Sequence, residues 1–186
     1  VSVTGNLITG GTLGVTGGDA STDTSILNVG GNLTAGATTL TKGSATATLT
    51  LNGATAQSVT AAINGSGADS GILNVSNTSG GVTFNSVIGT SNTLSSINVT
   101  TGTATFDAAL GAVASTITGT ATFGAASAIP TVTIAAAGTT TLTGVLTATT
   151  KAEIDGTLNI NVAEQVITAI DLDSGGIIVV GKALTN

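Results

Sequence analysis

The chain of 186 residues contains no His, Cys, Met, Trp, Tyr or Arg, and its only cationic side chains are three lysines. Without His or Cys, a hydrolytic triad is excluded except in the unusual Ser–Lys form. Lys42, Lys151 and Lys182 each have Ser or Thr nearby in sequence, but any Thr-rich chain would place them there. The absence of Cys also removes disulfides and thiolate metal ligands. We therefore predict that the protein is not an enzyme.

Charge is scarce as well, with 6% charged residues and a formal net charge of −6. Three lysines cannot form the basic patch that follows a phosphate backbone, so nucleic acid is not expected as a partner. The hydrophobic share of 41% is interrupted throughout by Thr, Ser and Gly. No run of about 20 apolar residues predicts a membrane span. The combination of high apolar content and few charges also argues against disorder.

What the sequence does contain is alternation between apolar and small polar residues. The clearest run covers residues 45–51, where Ala and Leu alternate with Thr. Such a period of two predicts β-strands with one buried face and one outer face of Thr, Ser or Asn. Phe84, Phe106 and Phe123 lie in runs of the same kind, so we assign them to the core and not to an exposed platform for sugars. Pro130 is expected at a strand start or an edge, where its missing N–H costs little.

Short phrases of the sequence recur at intervals of roughly one or two strand–turn cycles. Residues 103–106 and 120–123 both read TATF, and residues 26–29 and 72–75 both read ILNV. Cycles of about 17 to 24 residues, separated by Gly and Asn turns, are typical of β-solenoid coils, whose insertions vary in length. We therefore predict an all-β parallel β-helix of about eight to ten coils. The alternative is a β-sandwich or jelly roll that polymerises by donor-strand exchange through residues 1–8.

Residues 1–186 are interpreted as a single solenoid-like domain, in which residues 151–186 form a more charged C-terminal coil or cap. The spacing of Val162, Val166, Ile167 and Ile170, with the helix-tolerant neighbours Ala163, Glu164 and Gln165, permits a short helix in this segment. A strand is equally compatible, because Val and Ile dominate.

Paired carboxylates are the remaining constellation that could bind a ligand. Asp171 and Asp173 are one residue apart and would point the same way on a strand, so they are the candidate calcium ligands. Asp19, Asp23 and the 65–69 segment resemble calcium turns more faintly, and bonding of Asp to its own turn backbone is the favoured interpretation there. Apart from calcium, no cofactor is expected.

Five asparagines begin N-x-[ST] sequons, which are acceptor sequences for N-glycosylation. They are Asn32, Asn64, Asn74, Asn77 and Asn98. In a chain this rich in Asn, Ser and Thr, a role in turns is the more common explanation.

Residues 49–112 contain the phrases LTLNGATAQSVTAAINGSG, GILNVSNTSGGVTFNSVIG and LSSINVTTGTATFDAALGA. This stretch resembles the passenger repeats of autotransporter surface proteins, notably the large rickettsial surface antigens, and filamentous-haemagglutinin-type adhesins. The N-terminal VSVTGNLITGGTLGVTGG is also similar to the β-repeats of phage tail fibres. The resemblance implies a right-handed parallel β-helix displayed outside the cell as an adhesin, surface coat or fibre. A passenger would normally be longer and carry a C-terminal membrane barrel, so a processed protein or a fragment is expected.

These observations predict a non-enzymatic structural or adhesive protein, located extracellularly or at the cell surface. Few charged residues are available to block exposed strand edges, so we expect self-association into a homopolymer, filament or coat. The alternative function is a phage tail-fibre or carbohydrate-binding β module, which would bind a receptor.

Overall fold

The computed structural model describes residues 1–23, 25–162 and 164–181, and this part of the chain consists of β-strands and turns without a helix. Ala163 and Lys182, which entered the predictions above, lie outside the described residues. The strands are β1 Ser2–Val3, β2 Leu7–Ile8, β3 Thr12–Thr16, β4 Ser25–Val29, β5 Leu33–Thr34, β6 Ala37–Thr41, β7 Ala47–Leu51, β8 Gln57–Val59, β9 Ile63–Gly65, β10 Ile72–Ser76, β11 Val82–Phe84, β12 Leu94–Thr101, β13 Thr103–Phe106, β14 Leu110–Ile117, β15 Thr120–Phe123, β16 Ser127–Ala128, β17 Thr131–Ile134, β18 Thr139–Leu142, β19 Leu146–Ala148, β20 Lys151–Ile154, β21 Thr157–Ile160, β22 Val166–Ile167, β23 Ile170–Leu172 and β24 Ile177–Val180.

The strands stack into three parallel sheets. Sheet A follows the order β1-β4-β7-β10-β12-β14 and continues through β17, β20 and β23, with β16, β19 and β22 joined to it beside that path. Sheet B follows the order β2-β5-β8-β11-β13-β15-β18-β21-β24, and sheet C the order β3-β6-β9. Neighbouring strands in a sheet are separated in sequence by strands that lie elsewhere in the coil. The chain therefore winds through about eight turns, which confirms the predicted β-solenoid over the sandwich alternative.

Two inward-facing columns run the whole length of the stack, one from each long sheet. The sheet A column is Val3, Val29, Leu51, Val75, Val99, Ile117, Ile134, Ile154 and Leu172. The sheet B column is Leu7, Leu33, Val59, Phe84, Phe106, Phe123, Leu142, Ile160 and Val180. Between the two end members, every residue of each column is at most 5% exposed. Each coil buries its apolar face against its neighbours, as a solenoid requires.

The three phenylalanines form the widest part of the sheet B column. The rings of Phe84 and Phe106 stack with centroids 4.8 Å apart and planes 9° apart, and the ring of Phe123 meets Phe106 edge-on at 5.6 Å. All three are 1% exposed, which confirms that they belong to the core. Both geometries are favourable for aromatic pairs.

The alternation at residues 45–51 has the orientation expected from the sequence. Ala47, Leu49 and Leu51 of β7 are fully buried and Thr50 is partly exposed, although the outward Thr48 is also largely covered. The TATF echo is also structural, because β13 and β15 pair directly with Phe106 opposite Phe123. Coil length varies more than expected, since the coil that separates Ser2 from its partner Asn28 is considerably longer than the one that separates Thr116 from Thr133.

The short helix considered for Val162, Val166, Ile167 and Ile170 is wrong, and the strand alternative is confirmed for the last three. Val166 and Ile167 form β22 and Ile170 begins β23, and both strands pair with the preceding coil. The backbone hydrogen bonds of this segment go to strand neighbours, and β-branched residues fit the pleated surface. Pro130 directly precedes β17, where a strand start was expected, and its carbonyl oxygen accepts hydrogen bonds from the N–H groups of Thr150 and Lys151.

A buried polar corner joins three successive coils around Gln57, which is 3% exposed. Its Nε2 donates to the carbonyl oxygens of Val29 and Gly31 at 2.9 and 2.7 Å. Its Oε1 accepts from the N–H of Gly53 at 2.8 Å and from Nδ2 of Asn77 at 2.9 Å. The side-chain amide thus supplies partners to the Gly31 carbonyl and the Gly53 N–H, and it adds a second bond to the Val29 carbonyl, which also accepts from the N–H of Asn52.

Candidate functional site

The two candidate calcium ligands lie at the C-terminal end of sheet A, where β23 stacks on β20. The register places Asp171 opposite Glu153 and Leu172 opposite Ile154. Since side chains alternate along each strand, Glu153 and Asp171 point outward, and the outward positions that follow are Asp155 and Asp173. One pair of neighbouring coils therefore brings four carboxylates to the same corner of the solenoid.

Three of these carboxylates form a compact cluster, which we call the acidic corner: Glu153, Asp155 and Asp173. One carboxylate oxygen from each lies within 4.8 Å of the others, and no other such acidic group occurs among the residues that the structure describes. Oδ1 of Asp155 is buried and has no hydrogen-bond partner. Partial burial and the neighbouring carboxylate of Asp173, followed by Glu153 and Asp171, raise the pKa of Asp155 above its ordinary value.

Asp171 forms an ion pair with Lys151 and does not belong to the acidic corner. Its Oδ2 is 3.4 Å from Nζ of Lys151, and the same Nζ is 3.2 Å from Oε2 of Glu153. These contacts, with Glu153 the larger contributor, raise the pKa of Lys151. The lysine neutralises part of the negative charge, so the arrangement combines an ion-paired side with an acidic side.

The acidic corner offers three carboxylates to a cation. Calcium takes six to eight oxygens, commonly from carboxylates, backbone carbonyls and water. The corner would therefore hold calcium only with water or carbonyl groups completing the shell. The predicted pair is thus divided: Asp173 belongs to the cluster, and Asp171 belongs to the ion pair beside it.

Sequence reasoning missed Glu153 and Asp155, although a signal was present. Glu153 precedes Asp171, and Asp155 precedes Asp173, by an interval close to the one that separates the two TATF phrases. Acids that repeat at the cycle length are stacked on one another in a solenoid, so the spacing itself indicates the cluster.

The weaker acidic candidates form turns. The carboxylate Oδ2 of Asp23 accepts from the N–H of Ala20 at 3.1 Å, and the N–H of Asp23 donates to the carbonyl oxygen of Ala20. Asp69 has a φ of 59° and its Oδ1 accepts from Oγ1 of Thr93 at 2.9 Å. The bonds of Asp23 fit the interpretation of an Asp that bonds its own turn backbone. The carboxylate of Asp69 instead bonds a side chain of the next coil.

The sequon asparagines also take part in hydrogen bonds between coils or within turns. Asn77 is fully buried, and its Oδ1 accepts from the N–H groups of Ser79 and Gly81. Nδ2 of Asn98 donates to Oδ1 of Asn74 in the preceding coil at 2.9 Å. Asn32 and Asn64 accept from backbone N–H groups one coil further along. These contacts give each of the five a role in the fold.

The two ends of the stack are a second region of interest. At the N-terminal end β1, β2 and β3 each pair on one side, and within the described chain β22, β23 and β24 do the same at the other end. Leu172 and Val180, the last members of the inward columns, are 51% and 46% exposed, although Ile154 and Ile160 before them are buried. A hollow of about 440 Å³ opens at the N-terminal end, lined mainly by β3 and β4.

Comparison with known proteins gives no significant match to a family model, a curated protein or a solved structure. Within the described residues there is also no helix of the length and apolarity needed to cross a membrane.

Proposed function

We propose that the protein is a non-enzymatic structural or adhesive protein of the cell exterior that assembles end to end into a filament, fibre or coat. The observation that carries this proposal is the continuity of the two inward columns, which stay aliphatic or aromatic up to both ends and are half exposed at the C-terminal end of the described stack. A half-exposed column of this kind favours a further coil in register.

The two ends are complementary by the geometry of a parallel stack. A second copy placed in register beyond β23 and β24 would set its Val3 on Leu172 and its Leu7 on Val180, which extends both columns by apolar contacts. Its Ser2 would lie beside Asp171, so no like charges meet. Because the surfaces that meet differ, the contact is heterologous and produces an open filament and not a closed dimer.

The extracellular location and the adhesive role rest on the resemblance of residues 49–112 to autotransporter passenger repeats. A surface of stacked Thr, Ser and Asn, without Cys, suits such a setting. The alternative of a carbohydrate-binding or tail-fibre module has less support, because sugar recognition commonly uses exposed aromatic rings and all three phenylalanines are buried.

Negative-stain electron microscopy of the purified chain, with light scattering across a concentration series, tests the assembly. We expect Val180→Lys to abolish filaments, because it places a charge in the inward column at the contact. Val179→Lys is the matched control: Val179 is also 46% exposed, but it pairs with Asn159 and points outward. A wild-type chain that stays a monodisperse monomer at high concentration, or filaments of unchanged length from Val180→Lys, would contradict the proposal.

A further inference from the structure

The outer face of sheet B carries a regular array of threonines between β13 and β21. We call it the threonine face, and it consists of Thr103, Thr105, Thr120, Thr122, Thr139, Thr141, Thr157 and Asn159. Four coils contribute two residues each, and the residues form two rows in unbroken register. Thr103 is exposed, the other seven residues are partly exposed, and the rows alternate with buried residues of the core.

The threonine face carries no charge and leaves its hydroxyl groups free. No strand of sheet B contains a charged residue. Among the described contacts, the only side-chain hydrogen bond within the array joins Nδ2 of Asn159 to Oγ1 of Thr141 at 3.4 Å. The remaining hydroxyls of the array therefore face solvent.

The buried side chains of sheet B support the threonine face rigidly from the core side. Ala104 and Ala121 are fully buried between the two rows, and the packed rings of Phe106 and Phe123 lie beneath the strand ends. The branched Cβ of threonine restricts χ1, so each hydroxyl and methyl group has few alternative positions. A ligand that matches this pattern would cost the protein little conformational freedom on binding.

The spacing of the array identifies the kind of surface it matches. Neighbouring strands are about 4.8 Å apart, and two residues along a strand span about 6.6–6.8 Å. These two distances are close to repeats of the hexagonal ice lattice along its basal and principal axes. We propose that the threonine face binds ice, with hydroxyl groups joining the ordered water layer and methyl groups fitting between its molecules.

Other occupants fit the threonine face less well. A charged surface would find no complementary charge, and a polysaccharide would find no exposed aromatic ring on which to stack. The outer face of sheet A breaks its own periodicity, because Asn74 and Asn98 bond to each other and Lys151, Glu153 and Asp171 are charged. The ice-binding proposal does not depend on end-to-end assembly.

Thermal hysteresis and ice-crystal shape, recorded by nanolitre osmometry on the full chain, test the inference. We expect the wild type to facet ice and to give a freezing-point gap that an equal concentration of serum albumin does not give. Thr122→Lys, at the centre of the array, should lower the gap at least tenfold. Thr133→Lys is the control, because Thr133 is a partly exposed outward residue in strand β17 of sheet A.

Circular dichroism establishes that each variant is folded, and Thr141→Lys tests the same face one coil further on if Thr122→Lys does not fold. Unshaped ice and no thermal hysteresis from the wild type would overturn the inference without reference to any variant. Equal losses in Thr122→Lys and Thr133→Lys would overturn it as well. The inference would also be overturned if Thr122→Lys kept the thermal hysteresis of the wild type but lost binding to cellulose or to a second copy of the chain.

Discussion

At the scale of single residues, the core contains a hydroxyl group that its surroundings do not satisfy. Thr140 is fully buried in β18 between Ala121 and Leu158, and its Oγ1 has no hydrogen-bond partner. We expect Thr140→Val, which keeps the shape, to raise the free energy of unfolding by about 1–2 kcal/mol. Urea denaturation would measure this, with the outward neighbour Thr141→Val as the control; equal changes in both would contradict the explanation.

Gln57, in contrast to Thr140, is a buried polar side chain whose hydrogen-bonding groups are satisfied, because its amide makes four hydrogen bonds at the buried corner. Gln57→Leu would remove the hydrogen-bond partners of the Gly31 carbonyl and of the Gly53 N–H at this buried corner. The carbonyl of Val29 would keep its bond from the N–H of Asn52. We expect a loss of at least about 2 kcal/mol, from the cost of unsatisfied buried groups. Ser58→Ala, on the outward side of the same strand, should cost well under half as much in the same denaturation experiment. A Gln57→Leu protein as stable as the wild type would show that the corner rearranges.

At the scale of elements, the acidic corner ties stability to pH. The folded-state pKa of Asp155 is raised, chiefly by partial burial and then by Asp173, while the charges of Glu153 and Asp171 raise it further. A raised carboxyl pKa means that the folded state holds the proton more tightly, so this group lowers stability as pH rises from the ordinary carboxyl range through its folded pKa. In calcium-free buffer, Asp155→Asn should raise Tm at neutral pH and leave it unchanged once Asp155 is protonated. A gain in Tm that is equal at acidic and neutral pH would contradict this.

Calcium should stabilise the folded protein through the same acidic corner that lowers its stability in calcium-free buffer. If it binds there, added Ca²⁺ raises the Tm of the wild type, because a ligand that binds only the folded state stabilises it. The rise should disappear on chelation and in Asp155→Asn, and Asp69→Asn, in a hydrogen-bonded turn, should keep it. A wild-type Tm that does not respond to Ca²⁺ would mean that the corner is solvated and metal-free.

The same elements indicate which parts of the structure the sequence can predict. Alternation identifies β7 and its buried Leu49 and Leu51, because a period of two has a direct meaning on a strand. Pairing partners are harder to predict, since the coils differ in length and few phrases recur to fix the register. For Glu153 and Asp155 the sequence signal is their spacing from Asp171 and Asp173, which is close to one cycle. That signal is easily missed, because no repeated phrase marks the pairing of β20 with β23.

At the scale of the whole molecule, the stack should tolerate the loss of one complete coil. The pairs β13–β15, β14–β17 and β14–β16 all share the same sequence offset, which equals the length of segment 103–119. Deletion of residues 103–119 would therefore place β15 against β11 and β17 against β12 with both columns intact. We expect a folded protein with unchanged β-type circular dichroism, whereas deletion of residues 103–111 should break the register and prevent folding. An unfolded protein after deletion of residues 103–119, with a folded one after deletion of residues 103–111, would contradict independent stacking of coils.

The constant offset between the paired strands of this region has a consequence for how such a gene can change. An in-frame duplication of the codons for segment 103–119 would insert a coil that already fits its neighbours, since Phe106 and Phe123 occupy equivalent places in the column. Each added copy would lengthen the rod by one strand spacing of about 4.8 Å. It would also widen the threonine face by one more pair of residues. The reach of the molecule could thus evolve in small, individually viable steps by unequal recombination, without a new fold at any stage.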